Sequence, residues 1–345
     1  MSFSFFKPSR AKPSPPELSR ALKESFLALD AKAVVEVKAL EKALEDVDKS
    51  FFAMRQMLCG DGEIEAIPEQ VLQLAQEICK EDTISLFVHK LPMLGWEARK
   101  DLAHCWGILL RQTVGSSYCC VDYIENHSEL LDFLVVCYNN KDVALTCGNL
   151  LRECIKYPVL AKYVLESTSF ELFFKYVELP SFDIASDALA TFKDLLTKHP
   201  TEVSQFLKVH YEQFFGLYEK LLTSTNYVTR RQSLKLLSEF LLETPNTQVM
   251  KRFILEAQYL KVMMGLLKDP SKNIQISAFH IFKVFVANPN KPSEIIAILA
   301  KNHDKLLMLL DNLPTSKGGE DEELEEERDL VIREIEKLSH LPIAS

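Results

Sequence analysis

The sequence predicts an all-α chain built as a helical-repeat solenoid, curved with a concave binding face, and three observations carry that expectation. A small residue followed by bulky apolar residues four and eight positions later recurs at Cys147, Ala188, Ser233 and Ala278, in steps of 41, 45 and 45 residues. The four-later positions are Leu151, Phe192, Leu237 and Phe282, and the eight-later ones are Ile155, Leu196, Leu241 and Val286. Prolines follow at Pro158, Pro200, Pro245 and Pro289. Such a row lies along one side of a helix, and the small residue lets a neighbouring helix approach closely. The second observation is that period-2 alternation with β-branched enrichment is nearly absent. The third is that ten glycines in 345 residues are too few for a turn-dense β protein. A period in the low to middle forties is that of armadillo and HEAT arrays, whose units each need a neighbour to cover them, so one continuous core can absorb this length.

The elements follow in order along the chain. Residues 1–16, aromatic and proline-rich with Phe3, Phe5 and Phe6, are expected to form a flexible arm. Its apolar stretch is too short for a signal peptide, and Ser2 stands where N-myristoylation requires glycine. A single repeat domain is expected over 17–341. Its first helix opens at Glu17 and carries Leu18, Leu22, Phe26 and Leu29; the second runs through the good helix formers of Val34 to Met57. Turn residues mark loops at Cys59–Gly62, Gly115–Ser117, Asn139–Asn140, Leu179–Ser181, Thr223–Asn226 and Asp269–Ser271. The acidic run Glu320 to Glu327 is read as part of a solvated loop over 315–328, ahead of a terminal helix with Leu330, Ile332, Ile335 and Leu338 on its apolar side. Carboxylates near a helix N-terminus complement its dipole.

Composition excludes several function classes. A net charge of −9 gives no basic footprint for nucleic acid, and no segment has the apolar length needed to span a bilayer. Eight cysteines without CxxC spacing suit a reducing, cytoplasmic setting. His104, Cys105, Cys119 and Cys120 mix zinc-ligand types but lack a second short ligand pair, so buried thiols and no metal site are expected. Phosphate-loop, HExxH, GxSxG and kinase motifs are missing, and Asp61-Gly62-Glu63 lacks the alternating ligands of a calcium loop. His89, His210 and His280 read as core or surface residues. The chain is therefore expected to be neither an enzyme nor dependent on a cofactor.

The most specific chemical feature is a row at i, i+4 and i+8: Tyr227, Arg231 and Lys235. These share one side of a helix whose other side carries Leu234 and Leu237. Planar aromatic and guanidinium groups are enriched at interface hot spots, because they give contact area and directed hydrogen bonds at modest entropy cost. The bland alternative is a solvated helix face.

The stretches VEVKALEKALE from Val35, FDIASDALATFKDLLTKH from Phe182, NYVTRRQSLKLL from Asn226 and FHIFKVFVANPNK from Phe279 closely resemble the calcium-binding protein 39 family, also called mouse protein twenty-five. The similarity runs from about Phe3 to the helix before Leu341, and the opening MSFSFFKPSR is similar to the plant branch. The resemblance implies a horseshoe of armadillo-like repeats that acts as a scaffold. Its concave face would cradle a STE20-type, or germinal-centre, kinase or pseudokinase in the closed, active-like conformation. It also implies that Phe182, Tyr227, Arg231 and Lys235 contact that partner. A second family site, a pocket for a Trp-Glu-Phe tail peptide of the partner, is matched by Met264 in LKVMMGLLK and Lys301 in AKNHDKLL. A monomer is expected.

The competing function class is a generic armadillo adaptor for peptides or cargo, without effect on kinase activity. Such arrays bind extended peptides along a ladder of Asn and Trp on successive inner helices, whereas Trp96 and Trp106 are confined to one early region.

Overall fold

The computed structural model describes residues 13–32, 37–313 and 319–339. The first twelve residues of the expected arm and residues 315–318 of the acidic segment lie outside these. The chain divides into two compact units, one ending at Thr191 and the other beginning at Phe192, where the sequence leads one to expect a single domain over 17–341. The division falls inside a helix, because an array whose helices touch mainly their neighbours has no obligatory linker.

The first unit opens with α1 (Pro15–Lys32) packed against α2 (Val37–Cys59). The α1 start is fixed by Ser14, whose backbone N–H and hydroxyl both donate to the Glu17 carboxylate at 2.8 Å. Helices then come in threes: α3 (Pro68–Lys80), α4 (Thr83–His89) and α5 (Trp96–Leu110), followed by α6 (Cys119–Asn126), α7 (Glu129–Val136) and α8 (Ala144–Cys154). Next come α9 (Pro158–Glu166), α10 (Leu172–Tyr176) and α11 (Phe182–Thr197), which crosses the division. Like packs on like along the array: α3 on α6 and α6 on α9, α4 on α7, and α2 on α5 on α8. Leu18, Leu22, Phe26 and Leu29 are all buried as the periodicity requires, and Phe26, Phe51 and Phe87 form an aromatic triad with ring centroids 5.2–5.6 Å apart.

The second unit repeats the scheme with α12 (Pro200–Val209), α13 (Tyr211–Leu222) and α14 (Tyr227–Leu241), then α15 (Thr247–Phe253), α16 (Ala257–Leu266) and α17 (Lys272–Ala287). It ends with α18 (Ser293–Lys301), α19 (His303–Asp311) and α20 (Gly319–Ser339). Here α12 packs on α15, α13 on α16, and α14, α17 and α20 stack in sequence.

The repeated row read from the sequence is the buried side of every third helix. Cys147, Ala188, Ser233 and Ala278 and their eight apolar followers are all at most 1% exposed. The prolines punctuate the array, since Pro158 and Pro200 each open the next repeat, where the missing N–H costs nothing. At Ser233 the close approach is visible, because Tyr218 on α13 donates its hydroxyl to the Ser233 carbonyl at 2.7 Å.

Two local expectations change. The Gly115–Ser117 loop is the tip of a two-stranded hairpin, Thr113–Val114 paired with Ser117–Tyr118, with Gly115 at φ +64. Strands of two residues are too short to show alternation. Of the lead-in loop expected over 315–328, the described part is helical from Gly319 onward. Glutamate is a good helix former, and Leu324, Val331, Ile335 and Leu338 form one buried stripe along the helix. Leu330, assigned to the apolar side from sequence, is instead 58% exposed.

Candidate functional site

The site is built on the N-terminal half of α14, and the loops that hold it are tied down before any exposed residue is reached. Asn226 caps the helix by accepting the Val228 N–H at 2.9 Å, and its own N–H donates to Ser224 Oγ at 3.0 Å. Arg230 then links two repeats. Its Nε donates to Asp269 at 3.0 Å and another guanidinium nitrogen donates to the Ser224 carbonyl at 2.7 Å. Asp269 in turn accepts the Ser271 N–H at 2.9 Å, so the loop before α14 and the loop before α17 are held as one piece.

On this base stand the three residues of the row. Tyr227 is 41% exposed, with its hydroxyl 3.3 Å from that of Ser271. The bond to Ser271, with a smaller contribution from the Arg231 charge, holds the Tyr227 phenol below its ordinary range. Arg231 is exposed, and no carboxylate among the described residues pairs with it. Lys235 is 64% exposed and only 4.0 Å from Glu239, whose other oxygen is taken at 2.7 Å by Lys193. The opposite side of α14 buries Ser233, Leu234, Leu237, Phe240 and Leu241. The row is therefore an outward aromatic and cationic seam with spare positive charge.

Met264 and Lys301 are brought together, as two walls of a cleft of about 520 Å³ between α16 and α18. Met264 is nearly buried at its floor, and Lys301 is exposed at its rim beside Lys261 and Lys268. Lys261 lies 3.5 Å from Glu294, which leaves the cleft with more cations than anions. Phe182 opens α11 in the first unit and is 70% exposed, a large apolar ring with no burial to explain it.

The sequence reading missed a second row of the same kind. Trp96, Lys100 and His104 stand at i, i+4 and i+8 on α5 in the first unit, all exposed, Trp96 at 74%. Lys100 and His104 border a cleft of about 540 Å³ that also takes in Arg55 and Arg111. The spacing is legible in the sequence, where Trp96 counts only as a member of a tryptophan pair. The two tryptophans do unlike things, for Trp106 is buried and donates its indole N–H to the Leu150 carbonyl at 3.2 Å.

The four possible zinc ligands are not brought together. His104 belongs to the α5 row, and Cys105 is buried, which pushes its thiol up. Cys119 and Cys120 instead meet Cys79. Among the described residues no helix is long and apolar enough to cross a membrane.

Comparison with known proteins finds relatives along nearly the whole chain. The Mo25-like family profile matches residues 4–339. Human calcium-binding protein 39-like is 43% identical over 330 residues, covering 96% of each chain. A putative MO25-like protein of Arabidopsis thaliana is 45% identical over 299 residues, or 86% of this chain and 87% of that one. The Mo25-like protein of Schizosaccharomyces pombe is 44% identical over 298 residues, or 86% and 90%. Among solved structures, a computationally designed armadillo repeat protein for modular peptide recognition overlays on 79% of this chain at 13% identity and a TM-score of 0.43. With the profile spanning all but the chain's ends and relatives from animals, plants and yeast matched over most of their length, this chain belongs to the Mo25-like family.

Proposed function

We propose that the protein is a non-catalytic scaffold that binds a STE20-type protein kinase or pseudokinase through the Tyr227, Arg231 and Lys235 seam and favours its closed, active conformation. The observation that carries this reading is the state of Arg231. An exposed guanidinium without an ion-pair partner among the described residues, flanked by an exposed phenol and an exposed ammonium on a helix anchored by Arg230 and Asp269, is a rigid, pre-organised donor set. It suits a folded partner that presents carboxylates beside an apolar patch. Phe182, in the first unit, is proposed as a separate apolar contact. The cleft of Met264 and Lys301 is proposed to take the partner's Trp-Glu-Phe-type tail, with the ammonium meeting a carboxylate and the thioether meeting an aromatic ring.

Activation follows from differential affinity alone. A scaffold that binds the closed kinase about 100-fold more tightly than the open one moves a 1:99 equilibrium to about 1:1, and equal affinity for both moves nothing. The eight free thiols support a cytoplasmic setting, and the scaffold is proposed to act as a monomer.

The test is a titration of a purified STE20-type kinase domain with wild-type protein and with Tyr227→Ala and Arg231→Ala. Each substitution is expected to weaken binding by about thirtyfold or more, the scale of a hot-spot residue, with an unchanged melting temperature. Equal affinities for the variants and the wild type would reject the assignment.

A further inference from the structure

We propose that Cys79, Cys119 and Cys120 form a three-thiolate site for a soft d10 cation, Zn²⁺ or Cu⁺, apart from the partner-binding surface. Their sulfurs all lie within 4.8 Å of one another, with Cys79 3.4 Å and Cys119 4.0 Å from Cys120. A metal with bonds of about 2.3 Å to sulfur holds neighbouring sulfurs about 3.8 Å apart in tetrahedral geometry, so the observed triangle needs only small side-chain adjustments. Thiolates without a hard oxygen or imidazole among them select Cu⁺ and Zn²⁺ over Ca²⁺ or Mg²⁺.

The backbone assembles this triangle from separate pieces of chain. Cys79 lies in the last turn of α3, and Cys119 and Cys120 are the first two residues of α6. The hairpin ahead of α6 places them, because its Thr113 to Tyr118 pairing and the Gly115 turn bring the Cys119 N–H to within 3.2 Å of the Gln112 carbonyl. The same carbonyl oxygen is 3.6 Å from Cys119 Sγ. These are the only strands among the described residues, and they turn the chain where a helix would carry the cysteines past α3. Access is open, because Cys79 and Cys119 are half-buried and only Cys120 is fully enclosed. Three thiolates leave the fourth position of Zn²⁺ to water, whereas Cu⁺ is satisfied by three sulfurs.

The full-length protein, reduced and stripped of metal, is titrated with Zn²⁺ alone and with Cu⁺ alone against a chromophoric chelator for each. In at least one arm one ion per chain is expected to be withheld from the chelator. Cys79→Ser, Cys119→Ser and Cys120→Ser should each weaken binding at least tenfold, and Cys59→Ser, an exposed thiol outside the triangle, should leave it unchanged. Far-UV circular dichroism identifies any variant that fails to fold, and the half-buried Cys119 keeps the test available if Cys120→Ser does not. Retention of no ion in either arm, or retention that survives Cys119→Ser, would overturn the proposal. So would a Cys79–Cys120 disulfide, found by mass after thiol alkylation, in protein isolated without reductant and carrying no metal.

Discussion

Replacing Arg230 and Arg231, one at a time, with alanine separates folding from binding on two adjacent residues. Arg230 and Asp269 are 3.0 Å apart with side chains only 19% and 9% exposed, so Arg230→Ala strands a carboxylate in a poorly solvated place. Removing one partner of a buried pair costs about 3–5 kcal/mol, but the Ser271 N–H still supports Asp269, which lowers the expectation to about 2–3 kcal/mol. For a unit of this size that is a fall of about 4–12 °C in melting temperature. Arg231 is exposed and has no carboxylate partner among the described residues, so Arg231→Ala should stay within about 0.5 kcal/mol of wild type while losing kinase affinity by about thirtyfold or more. The assays are thermal unfolding of the full chain and kinase titration of both variants. If Arg231→Ala melts as low as Arg230→Ala, the exposed guanidinium is a structural group and the reasoning fails.

Gly148→Ala should destabilise the first unit, because a Cβ there would sit 1.9 Å from an Asp187 oxygen and 2.3 Å from the Tyr138 hydroxyl. Those atoms belong to an enclosed network in which Tyr138 donates to Asp187 at 2.7 Å and Arg152 bonds Asp187 and Thr191, so a loss of about 2–4 kcal/mol in urea unfolding is expected. Burial raises the Asp132 carboxyl, but the hydroxyls of Ser167, Tyr163 and Ser169 outweigh it and hold the group below its ordinary value. Its stabilisation is therefore complete above the unfolded value of about 3.9 and is lost as pH falls through the lower folded value; Asp132→Asn should flatten the acid limb of a stability curve below about pH 4. Lys301→Glu should weaken binding of a peptide ending in Trp-Glu-Phe more at low salt than at high salt, whereas Met264→Ala should weaken it at both, as read by fluorescence anisotropy.

Much of the fold was legible because helical packing writes itself at fixed spacing. The row from Cys147 through Val286 is buried throughout, and the turns at Asn140, Pro180, Asn226 and Pro270 fall between elements. The limits of α20 differ from the sequence reading because charge density suggests solvent, whereas buried Leu324 and the ion pair of Glu327 with Lys283 tie the acidic turns to the array. At the candidate site, the outward placement of Tyr227, Arg231 and Lys235 followed from the 3.6-residue period. The anchoring of that face by Arg230 and Asp269 did not, since it joins residues 39 positions apart across two repeats. The Cys79, Cys119 and Cys120 cluster was hidden for the same reason, with Cys79 41 residues from Cys120 and brought to it by the stacking of α3 on α6.

The central claim is that the scaffold acts by preferring one kinase conformation, and it is tested most directly by measuring affinity for a STE20-type kinase domain held closed by a bound nucleotide analogue and for the same domain without nucleotide. Tighter binding to the closed form is predicted, by the same factor with which saturating scaffold tightens binding of the nucleotide, because the two effects are linked. Identical affinities for the two forms, with the seam intact and engaged, would contradict it.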